Sequence, residues 1–390
     1  MRIKMNKKIL CILVVLTTLL SGCWDVTEPQ RMYYIHALGI DFKDGHYETY
    51  MQIIDFANIA KSEQPNNPQA QQAEIGHAKG KTIEDSFFDL YHSIDQKAFW
   101  GHITYIILSE EVMKSNKVNQ VLDFLTRYRE MRYQIWVYGT KEPLDKLLVV
   151  TPINNKALTL SKLGDPLNSF RQESFVTPIN VRKLVIGLNE PSHEVYLPLV
   201  SIDKEWETSK GQAESIEIKG VALLSNEGYK GSLTQNKANG VKWMTNETMR
   251  SEITGQIGDD ENSYVTVALE HIKVHITPIV KNENVQFDIE IKLEATSVLG
   301  ITKKITTKEI QKEIEKQVEK EVRETFKEAI ALDTDIYRLS ERLYRKDVKL
   351  WKKLEKNGKI ELTEDSIRNI KVNVYKINPG RGSYTETIRK

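Results

Sequence analysis

The sequence predicts a multi-domain protein of mixed α/β and α+β class, with three domains after an N-terminal leader at residues 1–22. Strand-like and helix-like segments alternate through residues 23–145, which is typical of an α/β domain. Residues 146–205 contain five of the eleven prolines and lack a regular pattern, which favours a small middle domain. Residues 206–390 combine alternating strands with long amphipathic segments. They predict an α+β domain in which two long helices cover a twisted antiparallel sheet.

The leader differs in composition from the rest of the chain. A basic start is followed by a run of twelve mostly apolar residues at 9–20. As a helix this run spans roughly 18 Å, which is shorter than the bilayer hydrocarbon core of about 30 Å. This length is typical of a secretory signal peptide rather than of a transmembrane helix. The basic residues before the run, with no acidic residue among them, are Arg2, Lys4, Lys7 and Lys8.

The leader ends in a sequence that looks like a bacterial lipobox, Leu20-Ser21-Gly22-Cys23. A lipobox predicts that the Cys23 thiol accepts a diacylglyceryl group and becomes the first residue of the mature chain. Two acyl chains give a stable membrane anchor. Cys11 would be removed with the leader, so the mature chain would contain neither a disulfide framework nor a thiolate metal site. The alternative is an ordinary signal peptide with a coincidental cysteine.

The pattern in residues 23–145 predicts strands and helices in the order β-β-α-β-α-β. Asp44-Gly45 is a turn signal between the first two strands and predicts a hairpin. Residues 62–74 are rich in polar residues and predict a loop. Thr82 is suited to cap the first helix, with Asp85 three residues later. The predicted segments are strands at 33–42 and 47–56, a helix after Thr82, a strand at 103–109, a helix at 118–128 and a strand at 133–139.

The middle domain is predicted to contain helical pieces at 155–163 and 178–188. A strand follows, and we expect it to be an edge or exit strand because Pro198 cannot donate to a ladder.

The C-terminal domain begins with an alternating strand at 214–224. The apolar parity changes between Leu269 and Ile272, which predicts a bulge near Glu270-His271. Strict alternation at 285–295 predicts a strand with one buried face, and 369–377 predicts the last strand. Apolar residues recur every four positions from Ile310 to Ile330 and predict a first long helix. A second is predicted at about 335–356, with Gly358 as its C-terminal stop.

Composition and motifs argue against several classes of function. Removing the leader changes the basic-to-acidic count from 55:54 to 51:54, a net charge of −3 that gives no electrostatic support for nucleic-acid binding. The segment "GHAKGKT" lacks phosphate-loop spacing because Ile75 stands where the motif needs glycine. His271 and His275 lie about 13 Å apart on a strand, too far to share a metal ion, and are expected to face solvent.

These observations predict a protein without catalytic function, metal or cofactor. No serine-hydrolase, metalloprotease or cysteine-nucleophile motif is present in the sequence. Abundant acidic residues leave a glycosidase open. Trp100 and Trp136 are interpreted as core or edge aromatic residues rather than as sugar-binding platforms.

A series of short motifs runs in order from the lipobox to the two-helix end. Its residues are Cys23-Trp24-Asp25 with Glu28, Gly39-Ile40-Asp41, Trp100-Gly101-His102, 107–111, 122–132, Gly220, Gly231-Ser232-Leu233 and Gly240. In these residues, and over nearly its whole length, the sequence resembles the Ger(x)C family, the C-subunit lipoproteins of spore germinant receptors.

This resemblance implies a function and a location. Family members are lipid-anchored on the outer face of the spore inner membrane, where they assemble with membrane-spanning A and B subunits that sense nutrients. It therefore implies a non-enzymatic receptor subunit with a three-domain α/β architecture. Trp24, Asp25 and Glu28 are candidates to face the partner subunits, because they would lie beside any membrane partner.

Two other functions stay open from the sequence. A lipid-anchored extracellular solute-binding protein would contain a cleft between two similar lobes, whereas the first and last domains predicted here differ. A cell-wall hydrolase is the other alternative.

Overall fold

A computed structural model provides the structure of the protein. Apart from Lys8, it describes residues 31–54, 73–128, 130–209, 211–256, 264–282, 284–299 and 306–378. The lipobox and the segment at 24–30 lie outside the described residues. The predicted polar loop at 62–74 also lies outside them, except for its last two residues.

Nine of the strands in the described residues form the first sheet. The order across it is β3-β2-β1-β5-β6-β7-β8-β9, with β4 paired to the start of β1. Strands β1, β5, β6 and β7 are parallel neighbours, and the remaining neighbours along this order are antiparallel. The strands are β1 (Met32–Lys43), β2 (His46–Ile54), β3 (Ala73–Gly80), β4 (Lys97–Phe99), β5 (Tyr105–Ser109), β6 (Trp136–Thr140), β7 (Glu194–Thr208), β8 (Gly211–Ser225) and β9 (Gly228–Thr234).

Helices cover both faces of this sheet. One face packs against α1, α3 and α6 through Phe87, Phe124 and Leu184. The other face packs against α4 through Leu144 and Leu147. The helices of this half are α1 (Ile83–Tyr91), α2 (Glu110–Lys114), α3 (Val118–Arg127), α4 (Leu144–Leu147), α5 (Pro166–Gln172) and α6 (Val181–Asn189).

Local sequence signals explain several of these elements. Asp44 and Gly45 have φ values of 50° and 77°, so the predicted hairpin turn is confirmed. The predicted cap of α1 is also confirmed, because the Thr82 hydroxyl accepts from the Asp85 backbone N–H at 3.1 Å. The apolar segment at 103–109 forms the buried strand β5, and the helix predicted at 118–128 is α3.

The structure differs from the prediction at three places in this half. Residues 73–80 form the edge strand β3, which the predicted order β-β-α-β-α-β does not contain, because their polar sequence has low strand propensity. The piece predicted as helical at 155–163 is instead irregular with short 3₁₀ turns, whereas α5 was not predicted. Strand β7 lies between β6 and β8 and is therefore not an edge. It tolerates Pro198 because β6 pairs with it only at Leu199 and Val200, so the missing N–H removes no bond from that short ladder.

The second sheet has four strands in the described residues, in the order β10-β11-β12-β15. A small hairpin, β13–β14, lies beside it. Three helices and this hairpin connect β12 to β15. The elements are β10 (Arg250–Gln256), β11 (Tyr264–Lys281), β12 (Asn284–Leu299), α7 (Thr307–Ile330), α8 (Leu339–Lys346), α9 (Val348–Leu354), β13 (Glu355–Lys356), β14 (Lys359–Ile360) and β15 (Ile367–Ile377).

The strongest sequence patterns of this half are confirmed. Strand β12 buries Phe287, Ile289 and Ile291 on one face, as its alternation predicted. The register of β11 against β12 shifts between Glu270 and Lys273, and His271 has a φ of 55°, which confirms the predicted bulge. Helix α7 buries the stripe that repeats every four residues, at Ile310, Ile314, Val318, Val322 and Phe326.

Two details of the predicted C-terminal domain are wrong. The second long helix is broken at Asp347, whose side chain accepts from the Leu350 N–H and starts α9. Gly358 does not end that helix but occupies the β13–β14 turn with a φ of 82°. The sheet is antiparallel except for β12 and β15, which are parallel because the intervening helices cross over it.

The two sheets share a core. Val221, Leu223 and Leu233 of the first sheet pack in the same apolar cluster as the second sheet and α7. The first sheet also continues across residues 145 and 205. The mixed α/β class is confirmed, and the division into three domains at those positions stays a prediction.

Candidate functional site

The sequence-predicted site residues are not among those the structure describes. Leu20, Ser21, Gly22 and Cys23, and the proposed partner-facing Trp24, Asp25 and Glu28, all precede the first described strand. That strand begins at Met32, nine residues after Cys23. The structure therefore shows the body to which this N-terminal segment connects.

A group of two buried carboxylates and two half-buried cationic side chains lies where the two halves of this body meet. We call it the charged joint, and it consists of Glu194, Asp335, Arg338 and Lys359. Glu194 is the first residue of β7, and Asp335 lies in the connection between α7 and α8. Both carboxylates are buried. Glu194 is 141 positions from Asp335, so the joint exists only in the folded chain.

Asp335 organises the start of α8. Its carboxylate accepts from the backbone N–H groups of Leu339 at 2.9 Å and Ser340 at 2.7 Å. A carboxylate in this position stabilises the first turn of a helix, as an N-cap does. The Ser192 hydroxyl also donates to it, at 3.3 Å, and links the loop before β7 to this helix. Burial raises the pKa of Asp335, and these hydrogen bonds oppose the rise.

Glu194 connects three segments through its two oxygens. One oxygen accepts from the Lys359 ammonium at 2.7 Å, and the other accepts from the Asp335 N–H at 2.8 Å. Burial, followed by repulsion from Asp335, raises the pKa of Glu194 to about 7, and Lys359 opposes that rise. Burial acts to lower the pKa of Lys359, but Glu194 and Asp333 outweigh it and raise that pKa.

Arg338 completes the charged joint. It adopts a left-handed backbone conformation with a φ of 53°, which is uncommon for a residue other than glycine. Its guanidinium donates to the carbonyl oxygen of Glu194 at 2.9 Å and to the Glu341 carboxylate at 2.6 Å. The side chain thereby fastens the beginning of β7 to α8.

Two small clefts flank the charged joint. One, of about 280 Å³, is lined by Asp333, Lys356 and Asn357, and the other, of about 240 Å³, is lined by Tyr196 and Ile336. Both fall below the usual range of small-molecule sites, about 300–1,000 Å³. Each carboxylate oxygen of Glu194 and Asp335 already receives a donor from the chain. This arrangement holds the halves together and gives the joint a group that titrates near neutral pH.

A second polar cluster lies inside the first half. The buried His36 side chain is within hydrogen-bonding distance of the Gln52 side-chain oxygen, at 2.7 Å, and Tyr105 donates to that oxygen at 3.3 Å. Gln52 in turn donates to the Leu148 carbonyl oxygen at 2.7 Å. Burial lowers the pKa of His36 to about 4, so the imidazole is neutral at physiological pH. The cluster fixes the bulge of β1 against the α4 region.

The histidines considered as metal ligands face solvent, as predicted. His271 occupies the β11 bulge, and His275 lies further along the same strand. In the part of the chain that the structure describes, no group of three or more His, Cys, Asp or Glu residues could hold a metal ion. None of the helices described is long and apolar enough to cross a membrane.

The charged joint is not evident in the sequence. Glu194 begins an apolar strand, and Asp335 and Lys359 lie in polar segments. The one available signal was an acidic residue four positions before the apolar Leu339, the spacing of a carboxylate at a helix start.

Together, the mixed nine-stranded sheet, the helix-covered second sheet and their charged joint define a two-sheet α/β protein. The same fold occurs in a solved structure, "Crystal Structure of the GerBC protein". The TM-score is 0.54 with 15% sequence identity, over 90% of this chain and 99% of that one.

Sequence comparison identifies the family. Residues 25–202 match the family model "Spore germination protein N-terminal domain", and residues 219–380 match "Spore germination B3/ GerAC like, C-terminal". Similar Bacillus subtilis (strain 168) proteins are spore germination protein KC, 22% identical, and YndF, 23% identical, each over 74% of both chains. The chain belongs to the Ger(x)C family of spore germination proteins and has a role related to germination.

Proposed function

We propose that this protein is a lipid-anchored, non-enzymatic subunit of a nutrient germinant receptor. Lipidated at Cys23, it would lie on the outer face of the spore inner membrane and assemble there with membrane-spanning A and B subunits. The observation that carries the proposal is the lipobox at 20–23, placed directly before a body that belongs to a spore germination family.

The structure supports this proposal in two ways. The described chain begins its first strand only nine residues after Cys23, so a lipid on that residue would keep the body at the membrane surface. The buried carboxylates of the charged joint receive donors from the chain itself, which favours a structural function for them over acid–base catalysis. Trp24, Asp25 and Glu28 lie within this short connection and are proposed to contact the partner subunits.

Cys23→Ala in the producing spore-former tests the proposal. We expect loss of the protein from the spore inner membrane and loss of germination with nutrients, while sporulation continues. Cys11→Ala is the matched control, because Cys11 lies in the leader that would be removed, and it should change neither property. Normal nutrient germination by spores that carry Cys23→Ala would contradict the receptor function.

A lipid-anchored solute-binding protein is the second candidate. The polar lining of the cleft of about 280 Å³ beside the charged joint favours it, whereas the small volume of that cleft and the dissimilarity of the two halves oppose it. A ligand that binds only the folded state raises the melting temperature, and the rise grows with the logarithm of the ligand concentration once that exceeds the dissociation constant. Under the receptor proposal, the purified mature chain should show no such shift with a mixture of amino acids, sugars and nucleosides. A shift that increases with the concentration of one component of the mixture would favour the binding protein.

A further inference from the structure

We propose that one end of the first sheet lies directly on an anionic lipid surface. This is the end at which the parallel strands begin, and we call its exposed residues the basal face. The inference rests on the proposed lipidation of Cys23 and adds an orientation to it. The basal face consists of Arg132, Tyr133, Leu167, Arg171, Arg182 and Met249.

The length of the N-terminal connection restricts which surface can face the membrane. Met32, where β1 begins, is nine residue positions after Cys23. A fully extended chain covers about 3.3–3.6 Å per residue, so this connection spans at most about 30 Å. The beginning of β1 must therefore stay within about 30 Å of a lipid attached to Cys23.

The basal face lies at the same end of the sheet as the beginning of β1. Strands β1, β5 and β6 are parallel, and Ala37, Tyr105 and Trp136 are aligned across them. Met32 precedes this row by five residues and Tyr133 precedes it by three. Strands lie about 4.8 Å apart and rise about 3.3 Å per residue, so the two residues are separated by less than about 20 Å. The connection can therefore bring the basal face to the bilayer.

The basal face has the composition of a lipid-contacting surface. Tyr133 is 51% exposed, Met249 is 52% exposed and Leu167 is 42% exposed. A groove of about 560 Å³ lined by Trp136 and Leu167, among others, opens on this side. Amphipathic aromatic side chains are enriched at membrane interfaces, where one end is apolar and the other hydrated.

Cationic side chains surround these apolar groups. Arg132, Arg171 and Arg182 are exposed. The backbone N–H of Arg182 donates to the Tyr133 carbonyl oxygen at 3.0 Å, which places the two residues side by side. Glu247, an acidic residue at the groove, is paired with Lys183 at 2.7 Å. Guanidinium groups bind headgroup phosphates, and basic residues near an anionic leaflet add to membrane attraction. The apolar and cationic groups together favour a phospholipid surface as the occupant.

The opposite end of the sheet contains a matched control residue. Trp206 is 52% exposed, nearly the same as Tyr133, and lies near the far end of β7. Leu199 pairs with Gly139, three residues beyond Trp136, and Trp206 is seven residues further along β7. At about 3.3 Å per residue, Trp206 lies roughly 30 Å from the row that contains Trp136. It should remain in water when the basal face contacts lipid.

The cysteine content makes a direct test practical. The mature chain has Cys23 alone, and its sulfur would be blocked by lipid. Tyr133→Cys, Met249→Cys and Trp206→Cys therefore each create one site for an environment-sensitive fluorophore. The lipidated mature chain is reconstituted into vesicles of phosphatidylglycerol and phosphatidylcholine that carry a shallow spin-labelled lipid as quencher. We expect a blue shift and loss of emission at positions 133 and 249, and neither change at position 206.

Each outcome separates the orientation from the anchor. Vesicle-bound protein with water-like emission at 133 and 249, or equal quenching at all three positions, would overturn the orientation and leave lipidation standing. Protein that fails to float with vesicles and takes up a second dye at Cys23 would refute the proposed lipidation itself. Labels at 133 and 249 that are water-exposed in vesicles but shielded in spore membranes would show that a protein partner covers the basal face, and would also overturn the inference.

Discussion

Glu194→Gln tests the charged joint through the pH dependence of stability. Burial and Asp335 raise the pKa of Glu194 from its ordinary value of 4.5 to about 7. A carboxyl with a raised pKa binds a proton more readily in the folded state than in the unfolded state. Its stabilising contribution is therefore complete below pH 4.5 and is lost as the pH rises through 7.

The magnitude follows from the difference between the two pKa values. Each pKa unit corresponds to about 1.4 kcal/mol, so the free energy of unfolding falls by about 3 kcal/mol between pH 4.5 and 7 because of this single group. Glutamine cannot ionise and is nearly isosteric, so this component should disappear in the variant. The wild-type chain should therefore lose stability relative to Glu194→Gln as pH increases.

Urea unfolding of the mature chain between pH 5 and 8 measures this difference. Glu361→Gln is the control. Glu361 and Glu194 both line the cleft of about 280 Å³ beside the charged joint, but Glu361 is exposed and pairs with Lys356. We expect the control to follow the wild-type curve and Glu194→Gln to diverge from it. A difference between wild type and Glu194→Gln that stays constant over this range would refute the reasoning about the joint.

Other predictions concern stability, measured by urea unfolding at constant pH. Phe326→Ala should lower the free energy of unfolding by about 3–5 kcal/mol, because the Phe326 ring lies on the buried face of α7. Lys327→Ala, at the exposed neighbouring position, should change it little. Thr82→Ala should cost about 1 kcal/mol by removing the α1 cap, and Thr82→Ser should retain it. Gly220→Ala should cost about 1–3 kcal/mol because its Cβ would collide with the Leu233 carbonyl oxygen. Wild-type unfolding midpoints in Phe326→Ala, Thr82→Ala and Gly220→Ala would contradict the packing described.

Elements with a local chemical cause were predictable from the sequence. The Asp44-Gly45 turn, the Thr82 cap and the alternation of β12 each depend on residues within one segment. The β11 bulge was also readable, because a change of apolar parity near His271 leaves a trace in the sequence.

Elements that depend on distant partners were not predictable. Strand β3 is stabilised by pairing with β2 rather than by its own composition. Pro198 misled because the short length of the β6–β7 ladder is a property of the assembled sheet. The break at Asp347 arises because the backbone of this residue is not helical, with a φ of −146°, and its side chain caps the next helix, which periodicity alone does not reveal.

The candidate site also has a part that could be predicted from one contiguous segment and parts that could not. Cys23 could be predicted because lipidation needs a contiguous motif, and it stays a prediction because it lies outside the described residues. The charged joint and the basal face were missed because each joins residues from separate segments. Glu194 and Asp335, for example, are separated by 141 positions and meet through one hydrogen bond of 2.8 Å.

The central claim is that this chain functions as one subunit of a membrane receptor. The most direct measurement is affinity isolation of the C-terminally tagged, full-length protein from detergent-solubilised spore inner membranes, followed by mass spectrometry of the recovered proteins and of the N-terminal peptide. We expect recovery of the A and B subunits together with a peptide that begins at a diacylglyceryl-modified Cys23. Recovery of the protein without either subunit, from wild-type spores that germinate normally, would contradict it.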